Sequence, residues 1–457
     1  MRLLSIHGIN IRAFEMAKPT RRLVLGASAC VCLGITGELA FGAGLALREQ
    51  SVRSGSMAMA ADGVSVGDAA SLMANPATMT ELEKHTFSGT VKYATASIGW
   101  AKGSGAEITD GSGEEDAQGG GGFVPGVFGV HPINKQIYVG WGISPTTAAA
   151  AKYKDEWFGR YHTTETAITV TSIDVAGAYK LNKMIAFSGG LSYEMGSMLI
   201  KQAANIGGAA AQSSGDVSLN NNHDSRFKFE GDSGGAVGAT LGILVNPTKT
   251  VSIGLGFRQL KRHTVKGDLA WFDDTIVADS TRGQAKLVNP LLASSDSVES
   301  KLVSPQVFNL GAKFGAGTST RFFVNLNQTK WSSNGRLALA YNGSEDASQL
   351  NWKDSRSFSA GGEFDLSSKI TLRGGLGIEP SITSESDRTA KSPADGDRTV
   401  LAFGGSYTAS KFAIDAGLST YIIEDSVVDD KSDPTKPFSG TGSASIMFFM
   451  VGGSYML

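Results

Sequence analysis

From Thr86 onward, apolar residues recur at every second position of the chain. Residues 251–257 read Val-Ser-Ile-Gly-Leu-Gly-Phe, and the same period runs through 322–327, 370–378 and 412–419. Successive side chains of a β-strand point to opposite faces, so this period predicts strands with one apolar face and one more polar face. The apolar face must be covered, either by a second sheet in a soluble sandwich or by lipid around a membrane barrel.

The connections between the strands decide between these two folds, because short and long ones alternate along the chain. The short connections are 131–135, 181–183, 246–249, 315–319, 366–369 and 409–411. The long connections are 101–121, 146–165, 200–225, 267–301, 334–351, 384–397 and 426–443. Strict alternation places every short turn at one end of the strands and every long loop at the other, as in outer-membrane barrels.

This pattern predicts an all-β fold, a transmembrane antiparallel β-barrel of about fourteen strands. Six short turns and seven long loops join fourteen strands, and the even number puts both termini on the periplasmic side. We therefore expect a multi-pass, monomeric protein of the bacterial cell outer membrane, surrounded by lipid and carrying long external loops.

Composition excludes several other classes of protein. The mean hydropathy of −0.05 rules out a helical membrane protein with many spans, but it fits strands that alternate apolar and polar residues. The 58 glycines, 12 prolines and 41% apolar residues fit a β protein with many tight turns and not a disordered chain. A net charge of −2 without a basic stripe argues against nucleic acid as a partner.

Residues 1–43 have the pattern of a secretory signal peptide. Arg21 and Arg22 end the positively charged region, residues 23–37 are apolar or small, and Ala43 supplies a small residue before the cleavage point. The apolar run is too short to span a bilayer comfortably, and no later run of about 18 apolar residues follows it. Both observations favour cleavage over an N-terminal membrane anchor.

The start of the mature chain decides its cysteine content. Cys30 and Cys32 both lie in the apolar run, and Met16 is a second possible start of the signal. A lipoprotein modified at Cys30 is an alternative, although Ala27 is a poor residue three positions before it. If cleavage follows Ala43, no disulfide, thiol nucleophile or cysteine metal site is expected. The histidines show no metal-ligand spacing, so we expect neither a metal nor a cofactor.

Residues 44–82 differ from the chain on either side of them. They are rich in Ala, Gly, Ser and Met, have no sustained helical or strand period, and contain the motif Asn75-Pro76-Ala77. A compact non-strand segment between a signal and a barrel predicts a hatch that plugs the lumen. Residues 83–457 are then the barrel itself.

An ordered set of motifs resembles a known family, the outer-membrane long-chain fatty-acid transporters of the FadL/TodX type. After the cleavage point the matching residues are Gly44, Glu49, Ser51, Gly55, Asp68, Asn75, Pro76 and Ala77. Further matches are residues 178–182, 352–354, Gly361, 372–374, 379–381, Pro393 and 395–398. The family also includes hydrocarbon channels, and the resemblance covers nearly all of the chain after Gly44.

The resemblance implies passive uptake of hydrophobic molecules, with long-chain fatty acids as the expected ligands. External loops would capture the ligand, which would move to an apolar pocket near the hatch and leave sideways through a gap at a kinked third strand. We expect the third strand near 136–144, where Gly140, Gly142 and Pro145 could break its pairing. The alternative is that these glycines only permit curvature. Together with Asn75, Pro76 and Ala77, Gly140 and Gly142 are the predicted hatch and gate residues.

Three groups of residues are candidates for ligand binding. Arg398 matches a family arginine that the resemblance associates with the fatty-acid carboxylate; the alternative is an ion pair with Asp395 or Asp397. In the hatch, the candidates are Leu72, Met73, Met79 and Leu82, which line the inner pocket or simply pack on the wall. In the longest loop, they are Leu269, Trp271, Phe272, Leu287, Leu291 and Leu292, which form a capture surface or a small loop core.

Two short motifs resemble those around a catalytic serine, but we expect no enzyme. Residues 231–235 read Gly-Asp-Ser-Gly-Gly but continue with Ala236, and residues 63–67 read Gly-Val-Ser-Val-Gly without a strand–turn–helix context. A lipid-hydrolysing barrel would need Ser233 or Ser65 beside a histidine on the outer wall. An aromatic hydrocarbon channel of the same fold and a structural or adhesive barrel without transport also fit the strand pattern.

Overall fold

The computed structural model describes residues 46–103, 114–116, 121–205, 224–272, 297–341, 344–388, 395–430 and 438–457. Over these residues the chain is almost entirely β-strand after Thr86. The strand segments of the first half are β1 (Thr86–Lys102), β2 (Glu114–Asp116), β3 (Gly121–Pro132), β4 (Ile137–Lys152), β5 (Glu165–Lys180), β6 (Ile185–Asn205), β7 (Asp224–Ser233), β8 (Ala236–Thr248), β9 (Val251–Arg258) and β10 (Lys261–Phe272). Those of the second half are β11 (Ser297–Ser304), β12 (Val307–Phe314), β13 (Thr320–Thr329), β14 (Arg336–Tyr341), β15 (Ser344–Gln349), β16 (Ser355–Asp365), β17 (Ile370–Glu379), β18 (Arg398–Thr408), β19 (Phe412–Ile423), β20 (Ser426–Asp430) and β21 (Phe438–Met456).

These segments form a closed antiparallel barrel of fourteen strands, which confirms the predicted fold. Seven barrel strands are each built of two consecutive segments: β2 with β3, β7 with β8, β9 with β10, β11 with β12, β13 with β14, β15 with β16, and β19 with β20. The ring closes where β1 pairs with β21, from Thr86↔Met456 to Lys102↔Gly440. On its other side β1 pairs with β3, so the first strand has a partner on both edges.

The two faces of the wall differ in the way the sequence period predicts. Large apolar side chains such as Leu191 and Val175 point outward and are 62% and 59% exposed. Their neighbours Ser192 and Asp174 point inward and are buried. An apolar outer band around a polar interior is the pattern of a barrel that is surrounded by lipid. Within the described part of the chain, no helix has the length and apolar character to cross a membrane.

Several strands are longer than the sequence predicts. The third barrel strand, β4, continues to Lys152 instead of ending near residue 144, and β14 and β15 occupy most of the predicted loop 334–351. The extension of β4 and the segment β15 contain mostly small and polar residues, so the apolar period fades there. β14 keeps apolar residues such as Leu337 and Leu339, and the pair Ala338↔Ala347 joins β14 and β15 in the sheet.

The segment before β1 contains a short helix and two 3-10 helices. They are α1 (Val52–Gly55) and the 3-10 turns Ala69–Met73 and Pro76–Glu81. A polar side chain caps each of them: Ser51, Asp68 and Asn75 accept hydrogen bonds from the backbone N–H groups of Ser54, Ser71 and Ala77. The described residues contain two further 3-10 turns. Trp331–Ser333 lies between β13 and β14 within one barrel strand, and Glu385–Asp387 lies in the connection between β17 and β18.

Candidate functional site

Residues 46–82, the inner segment, lie against the inner face of the barrel wall. From Leu47 to Thr80 every residue is buried except Arg48, Gly67 and Ala74. The backbone itself touches the wall: a Cβ placed on Gly254 would lie 1.9 Å from the carbonyl oxygen of Gly63. Any larger residue at this position of β9 would collide with the inner segment.

Charged side chains attach the inner segment to strands on different sides of the barrel. Arg53 donates from Nε to Asp415 of β19 at 2.9 Å, and its Nη1 donates to the carbonyl oxygens of Val66 and Gly67 at 3.0 Å. Elsewhere on the wall, Lys313 of β12 donates to Glu81 at 2.9 Å. Sequence reasoning missed these pairs, because no local pattern relates residues that only the closed ring brings together.

A buried carboxylate lies at the centre of the inner segment. Asp62 accepts a hydrogen bond from the Ser54 hydroxyl at 2.7 Å and lies 3.4 Å from Nη2 of Arg48. Burial raises the pKa of the Asp62 carboxyl to about 6, and the nearby Arg48 opposes this shift only in part. Arg48 also donates to the hydroxyl of Ser357 on β16 at 2.7 Å.

Asn75, a predicted hatch residue, joins two parts of the inner segment to the wall. Its side-chain nitrogen donates to the carbonyl oxygens of Gly63 at 2.8 Å and of Ile243 at 3.1 Å. Its side-chain oxygen accepts from the backbone N–H of Ala77 at 3.0 Å, while Pro76 begins the 3-10 turn. The fully buried Asn75 is therefore a structural link between the segment and β8.

The apolar candidates in the inner segment share one cluster on the wall. Its members are Leu72, Met73, Met79 and Leu82 from the segment, with Ala69 and Ala70, and Phe128, Val130, Tyr138, Ala176 and Ala178 from β3, β4 and β5. The structure thus shows these residues packed on the wall. Their participation in ligand binding stays a prediction.

Gly140 and Gly142 make room for this cluster. A Cβ on Gly140 would lie 2.3 Å from the sulfur of Met79, and one on Gly142 would lie 2.9 Å from the sulfur of Met73. Both glycines keep ladder partners on β3 and β5, so the idea that they break the pairing of the third strand is wrong. A gating role for them stays a prediction.

The pairing of the third strand is interrupted a few residues later, at Pro145. The last pair between β3 and β4 is Val127↔Ile143, and the register with β5 shifts between Pro145 and Thr147. Beyond this point β4 binds the inner segment, because Ala46 forms a bridge with Thr147. Residues 121–126 of β3 therefore have no ladder partner on β4, and the wall has a gap between the second and third strands.

Arg398 begins β18 and faces a small cavity inside the barrel. The cavity is lined by Ala46, Leu47, Arg48, Glu49, Thr329, Trp331, Glu379, Arg398, Tyr421, Ile446 and Phe448. Its volume is about 30 Å3, which suits water and is too small for an acyl chain. The Tyr421 hydroxyl donates to Glu49 beside it.

The hydrogen-bonding groups of Arg398 are mostly unused. Its side chain is 4% exposed, and its Nη2 lies 3.7 Å from Oδ1 of Asp395. Neither Nε nor Nη2 has a hydrogen-bond acceptor among the described residues. The other oxygen of Asp395 accepts from Ser381 and Thr383, so this carboxylate orders its own loop instead of fully pairing the arginine. A buried cation with free donors is suited to an anionic group.

The predicted loop candidates fall into two groups. Leu269 and Trp271 lie on β10 and not in a loop; Leu269 is buried, and Trp271 packs on Phe227 with ring centroids 5.4 Å apart. These two residues therefore pack within the barrel. Phe272 ends β10, but its side chain lies outside the described residues, as do Leu287, Leu291 and Leu292.

One cluster of polar side chains was not predicted. Ser233, the serine of the Gly-Asp-Ser-Gly-Gly motif, lies with its Oγ 3.3 Å from Nδ1 of His263, and Nε2 of His263 lies 3.4 Å from Oε2 of Glu194. These residues come from β7, β10 and β6 and lie on the inner wall. Only the strand register places His263 beside a serine thirty positions earlier, so the local sequence carries no signal for the pair.

Comparison with known proteins identifies the family. A model of the outer membrane protein transport protein family (OMPP1/FadL/TodX) matches residues 34–456. The long-chain fatty acid transport protein of Escherichia coli K12 is 23% identical over 416 residues, 85% of this chain and 90% of that protein. The protein of the same name from Salmonella typhi is 23% identical over 408 residues, 85% and 89% of the two chains.

Two solved structures share the fold. A Pseudomonas aeruginosa FadL homologue superposes with a TM-score of 0.81 at 20% identity, covering 91% of this chain and all of that one. The Pseudomonas putida toluene transporter TodX superposes with a TM-score of 0.68 at 15% identity, covering 90% and 99%. Together with the closed barrel, the family match shows that this chain belongs to the OMPP1/FadL/TodX family of outer membrane transport proteins.

Proposed function

We propose that this outer membrane transport protein takes up long-chain fatty acids, with Arg398 as the partner of the ligand carboxylate. The observation that carries the proposal is the buried guanidinium of Arg398, whose Nε and Nη2 have no acceptor among the described residues. The relatives named as long-chain fatty acid transport proteins support this ligand class.

The lining of the cavity beside Arg398 could hold the first carbons of an acyl chain once the cavity widens. Leu47, Ile446 and Phe448 give it an apolar side, and burial of apolar ligand surface contributes about 25 cal/mol per Å2. Since the cavity now has room only for water, a fatty acid must displace part of its lining. Leu47 belongs to the inner segment, so ligand entry at Arg398 would move the start of that segment.

We propose that residues 44–82 act as a hatch, that residues 1–43 are the removed signal and that residues 83–457 form the barrel. The burial of the described part of the hatch supports this role, because it fills the space through which small solutes would otherwise pass. The hatch meets the third strand at the Ala46↔Thr147 bridge. A ligand that displaces Leu47 would therefore also act on the wall at Pro145.

The gap between the second and third strands is the proposed exit into the membrane. Backbone groups at the edge of a gap lack ladder partners, and the inner segment satisfies some of them: Leu47 donates to the carbonyl oxygen of Thr146 at 2.9 Å, and Gln50 donates to that of Pro145 at 2.9 Å. The barrel closes within one chain, which supports transport by a monomer, with outer-membrane lipid as the receiving phase.

An aromatic hydrocarbon channel is the second candidate function. It is favoured by the aromatic side chains Trp331, Tyr421 and Phe448 in the cavity lining and by the fold shared with TodX. A hydrocarbon has no charge for Arg398 to bind, so the arginine distinguishes the two candidates.

The test measures binding of radiolabelled oleate and toluene to the purified barrel and to R398Q and R398K. Loss of a charged hydrogen bond costs about 1.5–3 kcal/mol, so R398Q should bind oleate roughly 10–100-fold more weakly. R398K, the matched control, should retain most of the affinity. Toluene binding that exceeds oleate binding, or equal oleate binding by wild type and R398Q, would favour the hydrocarbon channel. Failure to bind either ligand would overturn the transport proposal.

A further inference from the structure

We propose that Ser233, His263 and Glu194 form a serine-esterase site on the inner wall, which hydrolyses esters of apolar acyl chains. This activity is additional to transport, and its residues lie on other strands than those assigned to the ligand carboxylate. It gives a role to the Gly-Asp-Ser-Gly-Gly motif, which the transport function does not use.

Ser233 lies within reach of His263, and Glu194 lies close to the other side of the imidazole ring. The Ser233 Oγ lies 3.3 Å from Nδ1 of His263, which is within reach for a general base in an unliganded site. On the other side of the ring, Nε2 lies 3.4 Å from Oε2 of Glu194 and 3.2 Å from Oγ of Ser304. When Nε2 carries a proton, this N–H can donate to Oγ of Ser304, and Nδ1 can accept from Ser233. Oε2 of Glu194 makes no hydrogen bond to the ring, so Glu194 acts on it through its charge. In the usual arrangement Nε2 faces the serine and Nδ1 faces the acid, whereas here Nδ1 faces Ser233 and Nε2 faces Glu194. Such sites are recognised by the geometry and roles of their residues.

A backbone donor points at the Ser233 hydroxyl. The backbone N–H of Gly196 donates to the Ser233 Oγ at 2.8 Å, so an alkoxide would keep a hydrogen-bond donor. Glu194 is held in place by Lys261, whose Nζ lies 3.1 Å from Oε1, and it is 1% exposed. His263 is fully buried, whereas Ser233 is half-buried and is the most exposed of the three.

An irregularity in the sheet presents Ser233 to the lumen. The sixth barrel strand, β7 with β8, contains one residue more than β6 does between two of their pairs. These pairs are Glu194↔Ala236 and Ser197↔Asp232. Such bulges re-aim side chains and occur beside active sites. At this bulge Ser233 ends β7, and Gly235 follows with φ +100°, a conformation that favours glycine.

The same region of the wall has an unpaired stretch. The sixth and seventh barrel strands pair at Thr240↔Arg258 and again at Ser233↔Val265. Residues 234–238 and 260–264 lie between these pairs, and the described ladder between the two strands has no pair there. This unpaired stretch adjoins Ser233, and the backbone there is free of the ladder bonds that would otherwise have to break for a substrate to enter.

An apolar surface next to Ser233 indicates the class of substrate. Leu302 and Val170 lie within 3.5 Å of the position a Cβ would take on Gly196, the residue that donates to Ser233. Both belong to a buried apolar cluster of the inner wall that also contains Met198. A long acyl chain has the shape and apolar surface to lie along this cluster, with its ester carbonyl at the serine.

The reaction balances without a cofactor. Ser233 Oγ attacks the ester carbonyl carbon while His263 Nδ1 takes the hydroxyl proton, and the Oγ–C bond forms. The C–O bond to the alcohol then breaks, and His263 returns the proton to the leaving oxygen, which gives an acyl-serine and a free alcohol. Water, deprotonated by the same nitrogen, attacks the acyl-serine and releases the carboxylic acid and Ser233.

The test uses the purified full chain folded in detergent, with p-nitrophenyl decanoate as substrate and an alkyl fluorophosphonate as a covalent probe. Wild type should hydrolyse the ester and carry the probe on Ser233, located by peptide mass mapping. S233A and H263A should lower kcat/KM at least about a hundredfold. E194Q should lower kcat with little change in KM and shift the pH profile. S65A, which removes the serine of the other motif, is the matched control and should react like wild type.

Folding is checked separately by the heat-dependent gel migration of the barrel. If S233A fails to fold, probe attachment in wild type still decides the question. The proposal is overturned if folded wild type carries no probe on Ser233, or if wild type and folded S233A hydrolyse the ester at the same rate.

Discussion

Arg53 and Asp415, which are 362 residues apart, join the inner segment to β19 by a hydrogen bond of 2.9 Å. Their side chains are 10% and 5% exposed, so each buried charge has its counterion within hydrogen-bond distance. The pair is thus a direct electrostatic link between the inner segment and the barrel.

Removing only one charge of this pair should loosen the hatch. R53M leaves Asp415 buried without Arg53, and breaking a buried pair in this way costs about 3–5 kcal/mol. We expect faster hydrogen exchange of residues 46–82 in R53M, with exchange in β1 and β21 unchanged. The double variant R53M/D415L, which removes both charges, should recover part of the protection. Equal exchange in R53M and wild type would show that the pair does not hold the segment.

Replacement of Asn75 should change uptake without preventing barrel assembly. N75A loses the hydrogen bonds to Gly63 and Ile243 and leaves two buried carbonyl oxygens without this donor, at a cost of about 1–3 kcal/mol. We expect an altered rate of oleate uptake and normal heat-dependent migration of the barrel. N182A, which changes an exposed turn asparagine, serves as the control. An N75A protein that fails to form a barrel would assign Asn75 to assembly and not to gating.

The barrel wall was predictable because the two features that indicate it, the period of two and the lengths of the connections, are both local. Every strand carries its own period of two, and every connection shows its own length, so neither depends on knowing which strands are neighbours. The interruptions of the wall were predictable only in part. Pro145 marks one because proline lacks a backbone N–H, whereas Gly140 and Gly142 are paired normally and serve the packing of Met79 and Met73.

The interior was much less predictable. The family resemblance identifies Arg398 as a candidate, but it does not show that the arginine has free hydrogen-bond donors. Those donors are free because Asp395 accepts hydrogen bonds from Ser381 and Thr383 instead. The contact of Ser233 with His263 depends on the register Ser233↔Val265, which a shift of one residue would abolish. Such contacts are set by ring closure and register, and no single stretch of sequence encodes either.

The docking of the hatch should depend on pH through Asp62. The pKa of its carboxyl is raised from an ordinary value of 3.8 to about 6 in the docked segment, so the docked state binds the proton more tightly than the released state. Protonation therefore stabilises docking at acidic pH, and this contribution is lost as the pH rises through 6. Between pH 5 and pH 7 the opening equilibrium should increase roughly tenfold. Hydrogen exchange of residues 46–82, corrected for the intrinsic rate, measures this change.

D62N is the control for this titration. The amide keeps an oxygen for the Ser54 hydroxyl but has no proton to gain, so the pH dependence of opening should disappear between pH 5 and pH 7. Opening that increases tenfold in D62N as well would assign the dependence to another group.

Restoring a backbone donor at Pro145 should narrow the gap between the second and third strands. Alanine at this position supplies an N–H and allows the residue before it a wider range of conformations, so β4 can continue its ladder towards β3 beyond Ile143. Since the gap is the proposed exit, P145A should slow the release of oleate into the membrane several-fold and leave oleate binding to the purified protein unchanged. Uptake by cells and binding in detergent separate these two effects. P132A, which changes the proline at the periplasmic end of β3, is the matched control and should transport like wild type. Normal uptake by P145A would place the exit elsewhere. A loss of binding together with uptake would show that Pro145 supports the ligand site itself.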